Sequence, residues 1–438
     1  MDPHPLPTYL SKVLALSPPQ STHPPSTLTG PLTSHTGLAY LFLAVSADHP
    51  RLQVHSYPAI HWARAYISNI PTPSAPITPF APGGDDDRPS PAVPAVLGLL
   101  SDALAGPAVR ACVTKDLAHV RVFLALLAPV VEYILRVPTA AAGSSSPFPA
   151  AALHAPLPLP PLPTCLLHGL AGTLYLLRLI RHWVPSSAPL VSRTIVHVSD
   201  YLLSPSTPWT CPSPSSSPAD RHGVSHGVLG TLTQLVLTTP PLAPSLAPRL
   251  SALLDLQLPD GDWPSPRDQQ QQHHHDDGVP PETHASAPSG GVGFASGPQG
   301  LVISLLSLRP FFPALQDRID EAVHRAREFL WARVQDPGSS REANLFRGVL
   351  GTALAFPKGP QRIRFLALAA SPSPPPETQP SSSTTTAFTT STAAEVAAAA
   401  AGVAATPGSL MTSPSPGSAW AHSVSERELP RMILYNDM

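Results

Sequence analysis

Apolar residues along this chain recur at the period of a helix. In residues 317–334, Ile319, Val323, Ala326, Phe329, Leu330 and Val334 fall on one face, while Arg318, Glu321, Arg325, Arg327 and Glu328 lie mostly elsewhere. Residues 174–183 and 302–308 read as helices by composition and the same period. The longest clean apolar run, residues 122–131, contains Pro129 and is bounded by Arg121 and Glu132. It is shorter than the ~20 residues that a membrane span needs, so the pattern predicts a buried helix and no transmembrane segment. No strand-like alternation stands out, and the fold class expected is all-α.

A short phrase recurs, and it sets the expected architecture. It combines a small or polar pair, Gly, two residues, a small residue and then an apolar helix. It reads SHTGLAY at 34–40, LHGLAGT at 167–173, SHGVLGT at 225–231, ASGPQGL at 295–301 and FRGVLGT at 346–352, with a weaker copy, SDALAG, at 101–106. Positions 35, 102, 168, 226, 296 and 347 are separated by 51 to 70 residues, room for two helices and their loops. Four copies carry Gly-x-x-Gly; in the copy at 34–40, Gly37 is read as the first glycine with the second missing. Glycines in a helix's first turn let backbones approach closely and leave N–H groups exposed. Inner helices are therefore expected to begin at Gly37, Gly169, Gly227, Gly297 and Gly348, and such helix starts gathered at one centre favour anions.

Composition restricts where this architecture can extend. Proline supplies 60 of 438 residues, roughly three times the ordinary share. Residues 71–91, 139–163, 204–220, 260–288 and 371–416 are Pro/Ser/Ala/Gln-rich, and disorder is expected there. The reading divides the chain into an N-terminal extension (1–30), a helical body (31–370) with insertions at 71–91, 139–163, 204–220 and 260–288, a low-complexity segment (371–420) and a C-terminal tail (421–438). A net charge of −2 offers no basic field for nucleic acid. Three widely spaced cysteines, Cys112, Cys165 and Cys211, form neither a disulfide framework nor a Cys-x-x-Cys metal motif. A reducing, cytoplasmic setting is expected. The tract His273-His274-His275-Asp276-Asp277 beside four glutamines reads as a homopolymeric insertion able to hold divalent metal only weakly.

In LHGLAGTLYLL (167–177), GVSHGVLGTL (223–232) and LFRGVLGTALAF (345–356), the chain resembles the lanthionine synthetase C-like family. DGDWP (260–264) is similar to the family's Gly-x-aromatic-Pro stretch, and RMILYNDM (431–438) to its terminus. The resemblance covers residues 31–356 in pieces. It implies an α/α toroid of six to seven helical hairpins, the last expected within residues 371–420, where mostly Ser, Thr, Pro and Ala are found. It also implies peptide modification, the zinc-assisted addition of a thiol to dehydrated Ser or Thr. Glutathione is the implied co-substrate and a peptide or protein the partner.

The positions that ligate zinc in the family fall here on Ala295, Phe346 and Arg347. Ala and Phe offer no donor, and Arg does not deprotonate to become one. No cofactor is therefore expected at that place, and Arg347 with a water or an anion is expected in the central pocket, with Ser296 and His168. His226 matches the family's Ala-His-Gly histidine. It reads either as a general acid/base that protonates the enolate or as a structural residue bonded to its own turn. Two functions stand side by side: a thiol-adding enzyme with lost or altered zinc dependence, and a non-catalytic toroidal scaffold that binds peptide, glutathione or protein. A carbohydrate-active α/α toroid is more remote, because the repeat turns lack the paired carboxylates such enzymes use.

Overall fold

The computed structural model describes residues 5–20, 30–70, 75–81, 93–136, 161–209, 211, 222–264, 293–335, 342–370, 409–410 and 413–438. The five composition-biased stretches lie largely outside this set. Their described edges depart from the expectation of disorder, because apolar residues there reach the core: Leu162, Trp209 and Trp263 are buried.

The described chain is helical, as its periodicity predicts. Helices α1 (Pro5–Leu16), α2 (His35–Asp48), α3 (Ala59–Ile67), α4 (Asp102–Thr114), α5 (Leu117–Arg136), α6 (Leu170–Trp183) and α7 (Ala188–Leu203) come first. Helices α8 (Val228–Thr238), α9 (Ala243–Leu254), α10 (Pro298–Leu308), α11 (Gln316–Gln335), α12 (Val349–Ala355), α13 (Pro360–Ala370) and α14 (Pro414–Ser423) follow. Two antiparallel two-residue ladders, Gln53–Val54 with Tyr57–Pro58 and Phe80–Ala81 with Val93–Pro94, are the strands among the described residues. Helix α11 buries Ile319, Ala322, Val323, Ala326, Leu330 and Val334, the predicted face without the half-buried Phe329. Helix α5 is the one described helix long and apolar enough to cross a membrane, yet its buried stripe faces α4 and α7.

Seven helices are neighbours in sequence order: α2, α4, α6, α8, α10, α12 and α14, with α14 returning to α2. Each has a partner behind it: α3, α5, α7, α9, α11 and α13 for the first six, and α1 for α14. Helix α2 shows why the first set is central. All residues from His35 to Val45 are buried, the pattern of a helix surrounded on every side. The last pair joins residues 5–16, read from sequence as an extension, to residues 414–423, which begin inside the segment (371–420) read as low-complexity and supply the last central helix there.

The repeated phrase forms the helix starts. Gly169, Gly227, Gly297 and Gly348 are the N-caps of α6, α8, α10 and α12. Their φ angles, −104° to −126°, are open to any residue; at Gly169 and Gly348 a Cβ would strike the Pro163 and Glu342 carbonyls. A Cβ on Gly172, Gly230, Gly300 or Gly351 would strike the carbonyl oxygen six residues earlier, that of Leu166, Val224, Phe294 or Leu345. The first copy has a different register from the one expected. Ser34 is the N-cap of α2, its hydroxyl accepting from the Thr36 amide at 3.3 Å. Gly37 abuts the Pro31 carbonyl and corresponds to the second glycine of the phrase.

Backbone bonds tie successive helix starts together. The Leu97 and Leu99 amides donate to the His168 and Leu166 carbonyls at 2.7 and 3.3 Å. Leu167 donates to Ser225, Val224 to Ala295 and Phe294 to Phe346. The C-terminal tail lies among the central helices: the Tyr435 carbonyl accepts from Arg178 of α6 at 2.6 Å and Gln234 of α8 at 3.2 Å, and its hydroxyl lies 2.6 Å from Ser304 of α10.

Candidate functional site: a cysteine and histidine cluster

The turn before α6 reads Cys165-Leu166-Leu167-His168-Gly169. Its two-residue spacing folds back on itself, with the Gly169 amide donating to the Cys165 carbonyl at 2.9 Å and the His168 amide to Cys165 Sγ at 3.4 Å. An amide aimed at sulfur favours the thiolate. His168 Nδ1 lies 3.9 Å from Cys165 Sγ and 3.3 Å from Cys211 Sγ, so one ring nitrogen faces both sulfurs.

Cys211 comes from the segment after α7, which is tied down two residues earlier. Trp209 is buried, its indole donates to the Leu202 carbonyl, and the Arg249 guanidinium sits 3.9 Å from its ring centroid. The fourth member, His226, stands in the turn before α8. Its ring stacks on His168 with centroids 5.3 Å apart and planes 25° apart. The donor atoms of Cys165, His168, Cys211 and His226 all lie within 4.8 Å of one another.

Burial divides the cluster. Cys165 is fully buried and His226 is 3% exposed, while His168 and Cys211 are half-buried. His226 Nδ1 is buried without a hydrogen-bond partner. Desolvation by itself would push the Cys165 thiol up. The hydrogen bonds of Cys211, His168 and His226 and the charge of His226 outweigh it and hold the thiol well below its ordinary range. This chemistry contrasts with Cys112, whose burial in α4 pushes its thiol far up.

His168, expected in the pocket, and His226, the candidate acid/base, are thus brought into contact. Ser296 and Arg347 belong to the next two turns along the series, half-buried before α10 and α12. The Ala295 carbonyl accepts from Val224 and Ser225, and Asn344 Oδ1 accepts from the Phe346 and Arg347 amides at 2.8 and 3.2 Å. Ala295, Phe346 and Arg347 supply no metal donor, so the residues do not fit a zinc ion at that place. Cys165 and Cys211 were missing from the sequence-based site. The Cys-x-x-His spacing at 165–168 was the available signal for the first. Cys211, in a Ser/Pro-rich stretch, gave only its nearness to Trp209. No family model matches this chain, and no curated protein matches it.

Proposed function

We propose that this chain is an α/α toroid of the lanthionine synthetase C-like kind, which modifies peptides at its mouth by adding a thiol to a dehydrated Ser or Thr. The observation that carries the reading is the thiol and imidazole cluster set at the glycine-rich helix starts. The closed cycle of central helices and their partners supports the architecture. A substrate entering from outside meets the half-buried members first, His168 and Cys211.

His168 is the imidazole within reach. It takes the proton of an incoming thiol such as glutathione, and the sulfur bonds to the β-carbon of the dehydrated residue. The π pair moves to the α-carbon and its carbonyl as an enolate, and the imidazolium returns the proton to the α-carbon. His226, stacked behind His168, orients the ring. A positioned acid/base contributes about 10²- to 10⁴-fold.

The test combines the purified chain, with and without a chelator, with a dehydroalanine peptide and glutathione, and reads the peptide mass. A gain of one glutathione per dehydrated residue, falling at least about 100-fold in His168→Ala, supports the reading. The scaffold reading is favoured by the loss of donors at Ala295, Phe346 and Arg347. Peptide binding without any mass change, under both conditions, would establish it and end the enzymatic one.

A further inference from the structure

We infer that Cys165, His168, Cys211 and His226 bind one zinc ion as a closed Cys₂His₂ centre, at a place in the fold other than the one where the family's own ligands would fall. The inference goes beyond thiol addition and does not depend on it.

The geometry is close to what such an ion requires. With Zn–S of about 2.3 Å and Zn–N of about 2.05 Å, a tetrahedron places sulfur and nitrogen about 3.6 Å apart. The two distances from His168 Nδ1 to sulfur, 3.3 and 3.9 Å, straddle that value. Two imidazoles on one tetrahedral zinc have centroids about 5.2 Å apart, and His168 and His226 stand at 5.3 Å. The widest donor separation, 4.8 Å, asks for an inward movement of about 1 Å. Two half-buried side chains can supply it.

The chemistry selects the same class of ion. Two sulfurs and two imidazoles suit zinc, while oxygen-seeking cations such as magnesium and calcium find no carboxylate in the cluster. The buried Nδ1 of His226 has no hydrogen-bond partner, and a buried polar atom left so is costly unless something else occupies it. The amide aimed at Cys165 Sγ is the second-sphere bond expected of a metal-bound thiolate.

Four protein donors fill a tetrahedral ion and leave no position for a substrate thiol, which makes the centre a staple. It joins three segments: the turn before α6, the turn before α8 and the stretch after α7 that carries Cys211. Metal-bound, His168 has no lone pair for a proton. The ion and the proton transfer proposed above therefore exclude one another, and thiol addition belongs to the metal-free chain.

The experiment uses the full chain without an affinity tag and with His273, His274 and His275 changed to Ala, so that the histidine tract contributes nothing. Elemental analysis after dialysis is expected to give one zinc per chain. Cys211→Ser and His168→Ala are each expected to lower retained zinc at least tenfold, and Cys112→Ala to retain it. Should those two variants fail to fold, cobalt(II) exchanged into the otherwise unchanged chain gives the same answer: thiolate-to-cobalt charge transfer and intense tetrahedral d–d bands support the site. Two free thiols with no metal, octahedral cobalt without thiolate bands, or a Cys165–Cys211 disulfide in freshly purified protein would each overturn it. Bound zinc with no thiol addition in either loaded or stripped protein sinks the enzymatic reading and leaves this one standing. Addition by a chain that never takes up zinc does the reverse.

Discussion

Replacing Gly230 by Ala should destabilise the protein clearly, whereas Gly106→Ala should change its stability little. Both glycines lie within helices, α8 and α4, where alanine is favoured by about 1 kcal/mol. At Gly106 the added methyl's contact across the core is with Ile70 Cγ2 at 4.0 Å, an ordinary one. Gly106 precedes Pro107, however, whose ring crowds a Cβ on the helical residue before it, so the propensity gain is offset and Gly106→Ala should stay within about 1 kcal/mol of the parent. At Gly230 the methyl would overlap the Val224 carbonyl oxygen and carbon, both backbone atoms that cannot rotate aside. The turn must withdraw, and it is held by amides of Val224 and Ser225 donating to Ala295 at 2.8 and 3.1 Å. Weakening two such bonds costs about 1–3 kcal/mol, and the forced shift about 1–3 kcal/mol more. Set against the propensity gain, the net loss is about 1–5 kcal/mol. His226 rides on the same turn, so Gly230→Ala should also weaken metal binding. Urea denaturation of the two variants beside the parent is the assay. The reasoning fails if Gly230→Ala is as stable as the parent, or if Gly106→Ala loses as much as Gly230→Ala.

Removing residues 435–438 takes the carbonyl acceptor from buried Arg178 and uncovers Tyr175 and Ser304; a loss of about 3–5 kcal/mol is expected, and an unchanged denaturation midpoint would contradict it. Asp437 faces Tyr40, Tyr175, Arg178 and His182, and burial is the main cause that raises its carboxyl above the ordinary value. The contribution of such a group is full below its unfolded value near ~4 and is lost as pH rises through the folded one. The stability of the parent relative to Asp437→Asn should therefore decline from acid toward neutral pH; a relative stability that grows over that range would reverse the sign. Trp209→Ala removes the bond to Leu202 and the Arg249 contact that hold the approach to Cys211. Competition titration with a zinc chelator should show affinity about 10- to 100-fold lower, and an unchanged value would detach the segment from the site.

Much of the fold can be read from the glycines. Gly169, Gly227, Gly297 and Gly348 mark four helix starts, and the glycine three residues after each leaves no room for a side chain against the preceding turn. The same signal misled at Gly37, where Ser34 takes over the N-cap by accepting from Thr36 and shifts the register by one glycine. The last helix starts in the Ser/Thr/Pro/Ala stretch read as low-complexity, without a copy of the repeated phrase, and carries Pro414 and Pro416 in its first turn. Proline is tolerated in the first helical turn, where the lost N–H would have no partner, and the partner helix comes from the opposite end of the chain.

The site was half legible for a related reason. His168 and His226 stand inside the repeated phrase, so their shared location followed from the repeat. Cys165 sits just outside it, and Cys211 reaches the cluster only through the folding of residues 204–209, anchored by Trp209. Sequence spacing cannot report a meeting of 165 with 211, which depends on where α7 returns the chain.

X-ray absorption at the zinc edge tests the central claim most directly, using the full chain whose histidine tract at 273–275 is changed to alanine. The account predicts two sulfur scatterers at about 2.3 Å and two imidazole nitrogens at about 2.0 Å. A shell of oxygen and nitrogen alone, or zinc held in less than stoichiometric amount with no sulfur neighbour, would contradict it.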